Sequence, residues 1–174
     1  TLVATGLGLF MVFMDVLIVN VALPDIQKSF GVGEAGVQWV VAAYSLGMAI
    51  FMMSSATFAD HFGRRRVFLI GLVVFALGSM ASGFAPNIAF LNGARFIQGM
   101  AAATVNVTSL ALVSSAFPNP KQKAKAVGLW TAIASIALAI GPTVGGVLTE
   151  TVGWRSVFYI NAPFAVIAII IALK

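Results

Sequence analysis

Six long stretches that carry almost no charge constrain this chain more than any other feature. Each is long enough to cross about 30 Å of hydrocarbon as a helix, which takes about 20 residues. Only 9% of the residues are charged and 60% are apolar, against roughly 25% and 45–50% in soluble domains. The stretches are continuous, whereas a transmembrane β-barrel would alternate with period two. We therefore expect an all-α membrane protein, a single six-helix bundle over residues 1–174 with helices at 2–23, 35–58, 66–84, 88–116, 125–149 and 156–173.

The basic residues outside these stretches predict the orientation in the membrane. Most lie in the second and fourth connections and after the sixth stretch: Arg64, Arg65, Arg66, Lys121, Lys123, Lys125 and Lys174. Lys28 and Arg155 lie on the other side. Because cytoplasmic loops carry the excess of Lys and Arg, we expect a multi-pass protein of the cell membrane with its N-terminus in the cytoplasm. A net charge of +5 alone could suggest nucleic acid, but the distribution of the basic residues indicates a lipid bilayer as partner and no nucleic acid.

One pattern occurs twice between apolar stretches: a small residue, an acid, a glycine, an arginine and a Val-Phe pair. The first copy starts at Ala56 and the second starts at Gly146, three predicted spans later. Each has an acid at a helix end, a glycine able to take a positive φ in a tight turn, and a basic residue near the start of the next helix. An offset of three spans places the copies on opposite faces of the bilayer. This 3+3 inverted repeat is typical of secondary transporters.

Polar residues inside the predicted spans are the candidate functional residues. Asp15 is the acid inside a span, where a carboxylate costs about 2.5–3.5 kcal/mol on insertion scales and normally faces a cavity or a partner. At 100° per residue, one stripe of the fourth helix collects Arg95, Gln98, Gly99, Ala102, Asn106 and Ser109, and such a stripe cannot face lipid. Asp15 and Arg95 both lie about 10–12 Å below the outer face. They can pair if their helices are neighbours, in a proton-coupling switch or in a purely structural contact.

The remaining expectations concern helix ends and packing. Pro24 should end the first helix, and Trp39 and Tyr44 are interpreted as an interfacial aromatic belt. The third helix looks like a scaffold, and the sixth looks featureless and peripheral. In the fifth helix, small residues from Ala137 onward allow another helix to approach closely, while Pro142 favours a kink at a gated interface over generic packing.

Four motifs in this chain resemble those of the major facilitator superfamily, and most closely its fourteen-helix drug:proton antiporters. The loop motif between helices two and three is similar to the segment 60–65, although its leading Gly is Ala56 here. The helix-one motif resembles the segment 15–24, with Leu17 in place of the more usual Thr. The helix-four motif is similar to Arg95-x-x-Gln98-Gly99. The helix-five antiporter motif resembles the segment 137–146, with Ala for its first Gly.

This resemblance implies the N-terminal six-helix half of a major facilitator fold, completed by a missing C-terminal transmembrane half. It implies proton-coupled efflux of amphipathic drugs or similar small molecules, with the proton gradient as energy source and no cofactor. The implied proton-coupling or substrate-cavity residues are Asp15, Arg95, Gln98 and Asn106. The implied conformational latch is formed by Asp60, Gly63, Arg64 and Arg65, and the helix-five motif contributes Gly141, Pro142, Gly145 and Gly146. Helices one, two, four and five are expected to present small or polar residues to the missing half.

Other functions remain as alternatives. A lipid, sugar or metabolite carrier of the same superfamily would use the same helices for another substrate. An enzyme would need a convergent set of nucleophile, base or metal ligands, but the chain has no Cys and its one His, His61, lies in a loop. A channel would be expected to show a filter segment. We therefore expect neither an enzyme nor a metal site.

Overall fold

The computed structural model describes residues 2–174, and these form a bundle of helices. The helices are α1 Leu2–Phe30, α2 Glu34–Phe62, α3 Arg64–Gly83, α4 Ile88–Ala116, α5 Pro120–Thr151, α6 Ser156–Tyr159 and α7 Asn161–Leu173. Six segments are long and apolar enough to cross a membrane, and α6 and α7 together form the sixth, Ser156–Leu173. The prediction of an all-α, six-span membrane protein is confirmed.

The helix boundaries differ from the prediction near two prolines, Pro24 and Pro163. The first helix does not end at Pro24 but continues to Phe30. Proline removes one helix hydrogen bond, yet Ile26 beyond it is fully buried, so packing keeps the following turn helical. The sixth span has a turn at Ile160 between α6 and α7, where the backbone stays near helical values with φ −61° and ψ −24°. Pro163 lies in the first turn of α7, where its missing N–H costs nothing and a new helix readily starts.

The fifth helix begins earlier than residue 125. Asn119 caps its N-terminus, accepting a hydrogen bond from the backbone N–H of Lys121 at 3.0 Å, and Pro120 occupies the first helical position. This combination of an Asn cap and a following proline is a favoured helix start. The start of α5 could therefore have been read from the sequence.

The packing order of the helices has the symmetry of an inverted repeat. The two most extensive partnerships outside neighbouring pairs of the chain are α2 with α4 and α1 with α5. Exchanging the first helix for the fourth and the second for the fifth turns one pair into the other. The turns agree, because the equivalent glycines Gly63 and Gly153 have φ angles of 93° and 101°. Such positive φ values favour glycine.

Helices α1 and α4 form the centre of this bundle, whereas α2 and α5 are the most exposed. The expectation that α1, α2, α4 and α5 present small or polar residues to a missing half is wrong for most of the α4 stripe and for Gly141 and Gly145 of α5, because these residues are buried within the bundle. Gly141 and Gly145 pack against Leu17 and Ile18 of α1, and α5 continues as one helix through Pro142. In this structure Gly141 and Gly145 serve close packing inside the bundle, because a residue without Cβ lets two backbones approach. A Cβ added at Gly146 would meet open space.

The closest approach of α2 and α4 generates a prediction. A Cβ added at Gly99 would collide with the main-chain carbonyl oxygen of Tyr44, whereas a Cβ at Gly93 on the same helix would meet open space. We expect Gly99→Ala to destabilise the protein by about 1–3 kcal/mol, as overpacking does. Gly93→Ala should leave stability unchanged or raise it by up to about 1 kcal/mol through helix propensity. Thermal unfolding of the two purified variants in detergent measures the difference, and equal melting temperatures would contradict the packing.

Candidate functional site

A buried ion pair lies at the centre of the bundle, between α1 and α4. Arg95 donates from Nη1 to Asp15 Oδ2 at 2.6 Å, and the two side chains are 1% and 0% exposed. The pairing expected from their equal depth is therefore present. Removing two charges from water costs several kcal/mol per ion, so such a pair persists only if its remaining hydrogen-bonding groups are satisfied as well.

Two side-chain amides complete the hydrogen bonds to the carboxylate. Gln98 of α4 donates from Nε2 to Asp15 Oδ1 at 3.0 Å, and Asn161 of α7 donates from Nδ2 to the same oxygen at 2.7 Å. All three partners of Asp15 are thus donors. Donors stabilise the ionised carboxylate more than the neutral acid, because bonds to a charged acceptor are the stronger ones.

The guanidinium of Arg95 is satisfied by groups from two helices. Its Nη1 also donates to Gln98 Oε1 at 2.9 Å, and its Nε donates to the carbonyl oxygen of Val40 at 3.3 Å. The centroid of the Tyr44 ring lies 4.2 Å from Cζ of the Arg95 guanidinium, which is a cation–π distance. The cation is therefore held by α2 even apart from its carboxylate partner.

Tyr44 does not belong to an aromatic belt, so that interpretation is wrong for this residue. It is 2% exposed, whereas Trp39 is 55% exposed. Five positions along a helix correspond to a rotation of about 140°, so the two rings point to different sides of α2. The ring of Tyr44 faces the centre of the bundle, where it lies against the guanidinium of Arg95.

Asn161 is absent from the residues predicted for this site, and the expectation of a featureless sixth span is wrong. Asn161 is fully buried, and its Nδ2 also donates to Ser79 Oγ of α3 at 2.9 Å. Ser79 in turn donates to the carbonyl oxygen of Phe158 at 2.8 Å. The signal was available, since Asn161 is the one side-chain amide in an otherwise apolar span.

The rest of the polar stripe on α4 lies inside the bundle but apart from this cluster. Ala102 and Ser109 are buried, as expected for a stripe that cannot face lipid. Asn106 is half-buried, and its backbone carbonyl accepts from the Ser109 hydroxyl at 2.9 Å. Its side chain is not among the partners of Asp15 or Arg95, so the structure brings together three of the four residues expected to form this site.

The turn between α2 and α3 holds the second group of candidate residues. Arg64 Nη2 lies 3.3 Å from Asp60 Oδ1, in an exposed pair, and Arg64 Nη1 donates to the carbonyl oxygen of Ala111 at 3.5 Å. Arg65 donates from Nε to the carbonyl oxygen of Ala172 at 2.7 Å. The turn therefore contacts the ends of α4 and α7, and Gly63 supplies the positive φ that reverses the chain.

No group of three or more His, Cys, Asp or Glu side chains in residues 2–174 is placed to hold a metal ion. His61 is exposed in the last turn of α2, where Nδ1 lies 3.0 Å from the carbonyl oxygen of Thr57. This residue lies in a helix rather than in a loop.

Membrane-length helices in two inverted groups of three, with a buried polar centre, are typical of secondary transporters. The sequence matches the model of the Major Facilitator Superfamily over residues 5–174. The chain therefore belongs to the Major Facilitator Superfamily.

Two curated relatives are similar to this chain over nearly its whole length. The chain is 64% identical over 173 residues to the multidrug resistance protein Stp of Mycobacterium tuberculosis, covering 99% of this chain and 32% of Stp. It is 50% identical to the drug efflux pump JefA of the same organism, covering 99% of this chain and 34% of JefA. The chain thus spans about a third of the length of these curated relatives.

The solved structures show the fold. A bacterial homologue of the human lysosomal transporter Spinster superposes with a TM-score of 0.85 at 19% identity, over 99% of this chain and 41% of the homologue. The xylose transporter XylE from E. coli superposes with a TM-score of 0.84 at 15% identity, over 99% of this chain and 46% of XylE.

The buried ion pair makes a prediction about stability. Arg95→Gln leaves an uncompensated buried carboxylate and should cost about 3–5 kcal/mol. The double variant Asp15→Asn/Arg95→Gln carries neutral amides at both positions and should be more stable than Arg95→Gln alone. The measurement is a double-mutant cycle on unfolding of the purified protein in detergent. The exposed pair Asp60 and Arg64 is the control, with an expected coupling of about 0.3–0.5 kcal/mol; equal couplings in the two cycles would contradict the assignment.

Proposed function

We propose that the full-length protein carrying this chain is a proton-driven exporter of amphipathic drugs or similar small molecules, and that this chain is its N-terminal six-helix half. The observation that carries the proposal is the buried Asp15 carboxylate, held by Arg95 in the centre of the bundle. The names of the relatives, a multidrug resistance protein and a drug efflux pump, support the choice of substrate class. The proposal places the protein in the cell membrane with its N-terminus in the cytoplasm, because the basic connections lie on that side.

The proposed coupling follows from the charge balance at this site. In the ionised state the carboxylate is stabilised by Arg95, Gln98 and Asn161. When the cavity of the full carrier opens outward, a proton neutralises Asp15, and the guanidinium keeps its contacts to Gln98, Val40 and Tyr44. Opening inward lets a cationic substrate replace the proton. A proton can drive this exchange only as far as it binds one conformation more tightly than the other.

The first test is export against an imposed pH gradient. Asp15→Asn removes the titrating group and keeps its size, so gradient-driven drug flux in proteoliposomes should fall at least tenfold while substrate binding persists. Asp25→Asn is the matched control, because it makes the same change on the same helix away from the buried pair. An unchanged flux in Asp15→Asn would place the coupling group outside this chain. A substrate panel that includes lipids and sugars separates drug export from transport of those other substrates.

The turn formed by Asp60, Gly63, Arg64 and Arg65 is proposed to act as a conformational latch. Asp60 is exposed, so it is free to interact with the positive N-terminal end of a helix in the missing half, in addition to Arg64. The contact of Arg65 with the end of α7 supports this role, since that helix leads toward the rest of the carrier.

The latch generates its own prediction. Asp60→Asn should lower the transport rate several-fold while membrane insertion and the amount of folded protein stay normal, because the acid contacts exposed partners only. Glu150 holds the equivalent place in the second repeat and is exposed, so Glu150→Gln is the control and should transport at the wild-type rate. The measurement is the transport flux of both variants at matched protein levels. Normal transport by Asp60→Asn would contradict the latch and leave Asp60 with a role in membrane topology only.

A further inference from the structure

The two amides that contact Asp15 differ in how firmly their orientation is set. Gln98 uses both ends, since its Oε1 accepts from Arg95 while its Nε2 donates to Asp15. Turning this amide would direct its NH₂ group at the guanidinium, donor against donor. Asn161 uses its Nδ2 alone, for Asp15 and Ser79. Its Oδ1 is buried and finds no hydrogen-bond partner among the described residues.

A protonated Asp15 would need an acceptor that the present arrangement does not offer. Its carboxyl O–H would face the NH groups of Arg95, Gln98 and Asn161, all of which donate. A buried donor left without a partner costs about 1–3 kcal/mol. Among the three groups that contact the carboxylate, Asn161 carries the one acceptor that is unused.

We propose that Asn161 is a positioning residue that turns its amide by half a rotation when Asp15 takes up a proton. Its Oδ1 then occupies the place of Nδ2 and accepts the hydrogen bond from the carboxyl O–H on Oδ1 of Asp15. No covalent bond changes apart from the O–H bond that the incoming proton forms. This inference rests on the proposed function, in which Asp15 titrates during transport.

Ser79 can form a hydrogen bond to the Asn161 amide in either orientation. A hydroxyl both donates and accepts, so Ser79 can accept from Nδ2 in one state and donate to Oδ1 in the other. In the second state it releases the carbonyl oxygen of Phe158, to which it now donates at 2.8 Å. Phe158 lies in α6 and Asn161 opens α7, so proton uptake would loosen the contact of α3 with α6 and reach the sixth span.

The surroundings contain few other groups that could respond to the proton. From α4, Arg95 faces Asp15, and from α2 the ring of Tyr44 lies over Arg95. α3 and α7 contribute the neutral Ser79 and Asn161. α5 packs on α1 through Gly141 and Gly145, which do not titrate. The hydroxyl of Tyr44 is also buried without a partner in the described part of the chain, which makes it the competing acceptor.

The test is infrared difference spectroscopy of the full-length protein between high and low pH. The carboxyl C=O band of Asp15 is the band that Asp15→Asn removes. Asn161→Leu keeps the branched shape of the side chain and removes the acceptor, so this band should shift to higher wavenumber, where carboxyls without a hydrogen-bond partner absorb. Asn161→Gln keeps an amide and should restore the band at least in part. In the wild type, ¹³C-labelled asparagine should show a side-chain amide band that moves on acidification, and this measurement requires no variant.

Two controls separate the possible outcomes. Asn92→Leu removes a half-buried amide of α4 that does not contact Asp15, and it should leave the Asp15 band in place. A band that is present but unmoved in Asn161→Leu overturns the inference while the proposed function stands, and so does a band that moves in Tyr44→Phe instead. Absence of any band lost in Asp15→Asn means that Asp15 does not titrate, which overturns the proposed coupling and this inference together.

Discussion

The structure depends on the cost of holding two opposite charges away from water. Asp15 and Arg95 are both buried in the middle of a bundle whose surroundings are lipid. Each ion alone would cost several kcal/mol, and the pair is tolerable because four further groups complete its contacts: Gln98, Asn161, the carbonyl of Val40 and the ring of Tyr44. These groups come from α2, α4 and α7, while the carboxylate comes from α1. Satisfying one ion pair therefore defines the relative position of four helices.

Close backbone packing is what brings these groups within reach. Helices in a membrane gain little from the hydrophobic effect on association, so small residues at their contacts contribute most through van der Waals packing. Gly47 and Gly99 let α2 and α4 approach each other directly, and Gly141 and Gly145 do the same for α5 on α1. The carbonyl of Val40 and the ring of Tyr44 can reach Arg95 because α2 lies so close to α4. The close packing of the helices and the stabilisation of the buried ion pair therefore depend on each other.

The outer helices join this centre through neutral hydrogen bonds. Ser79 and Asn161 connect α3 and α7 to the carboxylate, and Ser79 connects them to the end of α6. At the opposite end of α3, Arg64 and Arg65 bind carbonyl groups at the ends of α4 and α7. A change in the charge on Asp15 thus has a continuous set of contacts to the sixth span, which the inverted symmetry of the helices alone would not supply.

The sequence by itself determined the quantities that depend on position along the chain. Bilayer thickness and the rise per residue set the number of spans and the common depth of Asp15 and Arg95. The repeated acid–glycine–arginine pattern located Gly63 and Gly153, two of the three glycines with positive φ in the described residues. The tertiary structure was needed to show which side of each helix faces the core and which helices are in contact. Tyr44 faces inward, Gly141 and Gly145 pack on α1, α1 continues past Pro24, and Asn161 reaches Asp15 from a distant span. The physical reason is that a helix's own period gives the relative angles of its side chains, while only the packing of all helices decides which angle faces the core.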